Sequence, residues 1–168
     1  RPGHRQPRTW YRNVVYVLAN SALVYRSLEL LDVKFDTKIA LIIRSDLEPW
    51  QKVNVAAFLS SGIAAAFPDC IGEPYEDGSG TIYARLFAQP VLVYGANSAG
   101  LTRALERSLS RDVTPAVYTR EMFITNNDVD NRAAVKAVAR PDLDLVGIAV
   151  RAERKTIDKI VDKLKFLE

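Results

Sequence analysis

The stretch from Lys38 to Pro68, KIALIIRSDLEPWQKVNVAAFLSSGIAAAFP, constrains the fold more than any other part of the chain. KIALIIR is apolar at consecutive rather than alternate positions, the pattern of a short central strand covered on both faces. Ser45, Asp46 and Glu48 are turn and cap residues, and Pro49 suits the first turn of a helix, so the chain bends there and enters one. Trp50, Val53, Ala57, Ala64 and Phe67 fall on one helical face, with Ala56, Leu59 and Ile63 adjoining it, which predicts a helix buried on most sides. The small residues from Ser60 to Ala66 let its second half lie close to a neighbour, and Pro68 ends it. A strand buried on both faces needs a layer of structure on each side.

The remaining chain repeats this alternation. Asp77-Gly78 between β-prone flanks predicts a hairpin. Val91–Tyr94, Thr114–Tyr118 and Asp142–Val150 are three further strands. Helices are expected from Asn97-Ser98 through Leu109, over Ala133–Ala139, and from Lys155 to Leu167, with Ile157, Ile160, Val161 and Leu164 on one face. The expected fold is α/β, a three-layer sandwich with a mixed, mostly parallel sheet of about four strands plus a hairpin. Residues 34–168 form the single α/β domain and residues 1–33 an extension. The extension's apolar run, Val14 to Tyr25, is too short to span a bilayer. It is read as an amphipathic or disordered segment, with residues 10–31 able to dock on a neighbour, in preference to a signal peptide.

The formal charge of +3 and pI near 9.0 suggest an anionic partner only until the charge is divided along the chain. Residues 1–33 hold five arginines against Glu29 and Asp32, so they carry the whole excess and leave residues 34–168 neutral. Nucleic acid is therefore an unlikely partner for the domain. His4 is the only histidine, so the domain holds neither a Ser-His-Asp nor a Cys-His nucleophile pair and no histidine-ligated metal. Cys70, the only cysteine, excludes an internal disulfide and points to a reducing, cytoplasmic setting. No metal or cofactor is expected.

Open α/β sheets bind ligands beyond the C-terminal ends of their strands. By that rule Asp46, Lys52 and Asn54, after the first strand, and Tyr118, Thr119 and Glu121, after the third, are the candidate ligand-binding residues. The competing reading makes Asp46 or Ser45 a helix cap and Trp50 a core residue. Gly95-Ala96-Asn97-Ser98-Ala99-Gly100 departs from both glycine-rich phosphate-loop spacings and is read as a plain helix start. Asn126, Asp128 and Asp130 open like a calcium loop, but Asn131 and Ala137 occupy its glycine and acidic positions, so they are read as helix-capping residues. Lys155, Lys159 and Lys163 form a ridge four residues apart, interleaved with Asp158 and Asp162 as on a salt-bridged solvent face.

FDTKIALIIRSDLEPWQKVNVAAFLSSGIA, IGEPYED, QPVLVYGA, YTREMF, NDVDNRA and KTIDKIVDKLK together resemble an uncharacterised bacterial family, domain of unknown function 2000, within the type II peptidyl-tRNA hydrolase-like fold. The resemblance implies that fold and a homodimer. Arg44, Asp46, Leu47, Ala56 and Ala57 match the hydrolase pattern after a one-residue insertion. Asn54 stands in place of its lysine, Phe58 of its glutamine and Ser61 of its histidine, and the stretch Tyr118–Met122 lacks the aspartate and glycine of its second loop. The hydrolase constellation is thus not retained. The leading expectation is a domain binding a small polar or anionic ligand at the strand ends; the alternatives are an aminoacyl- or peptidyl-tRNA hydrolase and an oligomeric interaction module.

Overall fold

The computed structural model describes residues 34–168; the extension 1–33, with its expected docking segment, lies outside the described residues. Five strands make one sheet: β1 (Thr37–Arg44), β4 (Val91–Ala96), β5 (Ala116–Thr119), β6 (Leu145–Glu153) and β7 (Lys165–Phe166), in the order β5-β6-β1-β4-β7. β2 (Tyr75–Glu76) and β3 (Ile82–Tyr83) form a separate hairpin. The helices are α1 (Pro49–Ala66), α2 (Ser98–Leu109), α3 (Asp128–Lys136) and α4 (Arg154–Ile160).

β1 is central, as its unbroken apolar run requires, and its side chains divide between two cores. Ile39, Leu41 and Ile43 pack with Val55, Leu59 and Ile63 of α1. Ala40 and Ile42 pack with Leu101, Ala104 and Leu105 of α2 and Ile157 and Ile160 of α4. Helices therefore cover both sheet faces, and the architecture is α/β with a mixed sheet and a hairpin.

Three expectations need correction. The sheet is not mostly parallel: only β1–β4 is parallel, while β1–β6, β5–β6 and β4–β7 are antiparallel. A strand apolar on both faces looks the same in either direction, so its composition carries no sense of pairing. The expected helix 155–167 ends at Ile160, and Lys163, at φ 68°, turns the chain back to lay β7 beside β4. That left-handed turn usually takes glycine, and a lysine there gives no sequence signal. Finally, α1 buries the stripe Val55, Leu59, Ile63, while Trp50, Val53 and Phe58 remain 62%, 71% and 50% exposed. With apolar residues all round the helix, the sheet decided which face went in.

Local features follow from chemistry at the element ends. Glu48 caps α1, its N–H donating to Gln51 Oε1 at 3.0 Å, so neither Ser45 nor Asp46 has that role. Asn97 caps α2 by accepting from the Gly100 N–H at 2.9 Å, and Asn127 caps α3 by accepting from the Asp130 N–H at 3.0 Å. The cap is thus Asn127 rather than Asn126, Asp128 or Asp130, and no cluster of metal-ligating side chains occurs among the described residues. No described helix is long and apolar enough to cross a membrane.

Candidate functional site

The register of the sheet brings the C-terminal ends of β1, β4 and β5 and the N-terminal ends of β6 and β7 to one end of the sheet. Three groupings of polar side chains stand there.

One is a chain of ion pairs. Arg44 donates to Asp46 through Nε at 2.9 Å and Nη2 at 2.5 Å, and reaches Asp144 at 3.3 Å; Arg120 holds the other Asp144 oxygen at 2.7 Å. The hydrogen bond from Arg44 holds the Asp46 carboxyl below the ordinary carboxylate range. Asp46 is thereby committed to Arg44.

The second joins α1 to β5. Tyr118 donates its hydroxyl to Asn54 Oδ1 at 3.0 Å, and its ring contacts Phe58 and Phe123 with centroids 5.6 and 5.2 Å apart. Burial raises the Tyr118 pKa, so its hydroxyl stays a donor at neutral pH. Trp50 lies edge-on to Phe123, outside the core proper. Thr119 is fully buried, and its hydroxyl has no hydrogen-bond partner among the described residues. A groove of about 840 Å³ opens beside this cluster, between Phe58, Val117, Met122 and Val135, where Asp128 is ion-paired to Arg132.

The third is a basic pocket of about 660 Å³ beyond the ends of β1 and β4. Lys52 of α1, Arg103 of α2 and Lys163 and Lys165 of the C-terminal segment line it, with Ser45 and Asn97. Glu168 contributes the one carboxylate side chain. None of the four cations has an ion-pair partner among the described residues. Gly95 leaves room for the Ser45 side chain just after β1: a Cβ on it would stand 2.7 Å from Ser45 Oγ. Phe166 lines the same pocket, stacked on Tyr94 with centroids 4.9 Å apart and planes 19° from parallel.

The six residues singled out by the strand-end rule therefore separate. Lys52 lines the basic pocket; Asn54 and Tyr118 bind each other on the β5 side; Asp46 serves Arg44; Thr119 is buried; Glu121 forms no side-chain hydrogen bond among the described residues. The helix periodicity explains the separation, since positions 52 and 54 point about 200° apart. Sequence reasoning missed Arg103 and Lys165 and placed Lys163 on a solvent-facing helix ridge. The signal available was Gly95-Ala96-Asn97, a glycine and a cap at the end of a buried strand. Cys70 is buried, and burial pushes its thiol pKa up, which keeps it protonated.

Comparison with curated proteins gives no match. Among solved structures, the chain is similar to a protein of unknown function from Agrobacterium tumefaciens, with 45% identity and a TM-score of 0.78 over 80% of this chain and 100% of that one. Residues 37–168 match the family described as protein of unknown function (DUF2000), nearly the whole of the described domain. The chain thus belongs to the DUF2000 family.

Proposed function

We propose that this domain binds a small anionic ligand in the pocket formed by Ser45, Lys52, Asn97, Arg103, Lys163 and Lys165. The observation that carries the reading is four cationic residues, from three separate parts of the chain, lining one cavity without ion-pair partners among the described residues. An anion among them would be attracted by all four. The neutral domain makes the positive potential local to this pocket, which suits a small ligand better than an extended polyanion.

Titration with inorganic phosphate and pyrophosphate, followed by thermal melting, tests the reading. At about a hundredfold excess over Kd, binding should raise the melting temperature by roughly 8 °C. Arg103→Ala and Lys165→Ala, both at exposed positions, should leave the ligand-free melt unchanged and abolish most of that rise. No stabilisation by either anion, or the same rise in both variants, overturns it.

The finer fold assignment, type II peptidyl-tRNA hydrolase-like, and the homodimer are part of the same proposal and rest on the motif resemblance around Arg44, Asp46 and Leu47. Sedimentation equilibrium of the full chain tests the dimer, and a monomer at all concentrations would end it.

A further inference from the structure

The pocket holds more than an anion needs. Inorganic phosphate would fill a small part of about 660 Å³, a volume in the range of cavities that enclose whole organic ligands. Phe166 lines the pocket and is 61% exposed, although it sits on the edge strand of the sheet with its ring stacked on the buried Tyr94. Stacking on Tyr94 fixes the orientation of that ring. A flat, pre-oriented and solvent-facing aromatic surface is what a planar ring stacks on. The charge count of the lining, four cations against the carboxylate of Glu168, matches a group carrying more than one negative charge better than a single carboxylate.

Building on the anion-binding reading, we propose that the ligand is a nucleotide whose base stacks on Phe166 and whose phosphate lies among Lys52, Arg103, Lys163 and Lys165. The turn at Lys163 carries the C-terminal segment along the pocket, where Lys163, Lys165 and Phe166 all line it, and lays Phe166 beside β4 on Tyr94. Nothing in this reading needs a bond to be broken; it is a binding site for the intact nucleotide.

Calorimetry on the full chain, comparing AMP, GMP, CMP and UMP with ribose 5-phosphate and inorganic phosphate, separates the base from the anion. At least one nucleotide should bind about tenfold or more tightly than ribose 5-phosphate, which carries the same phosphate without a base. Phe166→Leu keeps an apolar strand residue but removes the ring, and should bring the ratio of nucleotide to ribose 5-phosphate affinity, both measured on that variant, down to about one. Phe166→Trp should preserve or increase it. Equal binding of nucleotides and ribose 5-phosphate in the native chain, or a preference that survives Phe166→Leu, overturns the nucleotide inference and leaves the anion site standing. Failure of all the phosphates, inorganic phosphate included, removes both.

Discussion

Lys163 is where backbone preference and side-chain placement disagree. Its φ of 68° lies in the region where a Cβ crowds the following carbonyl, at a cost of about 1–2 kcal/mol. Lys163→Gly relieves that crowding but adds about 0.4–1 kcal/mol of unfolded-state entropy, so the variant should be more stable by roughly 0.5–1 kcal/mol. Urea denaturation should show the higher midpoint, and phosphate titration should show weaker binding from loss of the ammonium. A variant that is both less stable and undiminished in phosphate affinity would remove Lys163 from the site. The same position shows the limit of reading residues singly. Asn97 is recognisable as a cap from its place after a strand, whereas the left-handed turn of Lys163 follows from the docking of β7 on β4, which no local preference announces.

At the scale of elements, the hairpin is the clearest case of local chemistry determining structure. Asp77 accepts from the Ser79 and Thr81 N–H groups at 2.8 and 3.0 Å and from the Tyr83 hydroxyl at 2.8 Å. The Thr81 N–H, with the Tyr83 and Ser79 donors, holds the carboxyl down to about 2, from an ordinary value of 3.8. A carboxyl depressed on folding contributes stability that is present above the ordinary value and is lost as pH falls through the lower one. Cross-strand NMR contacts between Tyr75 and Tyr83 should therefore persist at pH 4 and fade with a midpoint near 2. Asp77→Asn should flatten that titration; fading already complete at pH 4 in the native chain would refute the assignment. Asp77-Gly78 is legible in the sequence as a turn, but the left-handed glycine is Gly80, at φ 84°. The burial of α1 was harder to read. Apolar residues encircle it, and only the sheet distinguishes Val55, Leu59 and Ile63 from Trp50 and Val53.

For the whole molecule, the alternation of strands and helices is evident from apolar runs and caps, but the order and sense of the strands are not. Strand order depends on which edges meet, and that is decided by contacts such as Gly147 beneath α1. A Cβ on Gly147 would stand 2.5 Å from Val55 Cγ1 and 2.9 Å from Leu59 Cδ1. Both atoms belong to the buried stripe, so Gly147→Ala must push α1 off the sheet and should cost about 1–3 kcal/mol, as overpacking of a core does. Chemical denaturation measures this directly, and an unchanged midpoint would mean the helix–sheet seam has slack. The central position of β1 also has a kinetic meaning. Its antiparallel neighbour starts more than a hundred positions later, with Thr37 opposite Glu153. Until β6 arrives, one edge of β1 and much of the apolar surface on both its faces stay open, and the chain must close that long loop before the core can form. Such non-local pairing slows folding relative to helical bundles and leaves KIALIIR exposed as a pairing edge meanwhile, the interval in which this chain is most prone to join itself to the wrong partner.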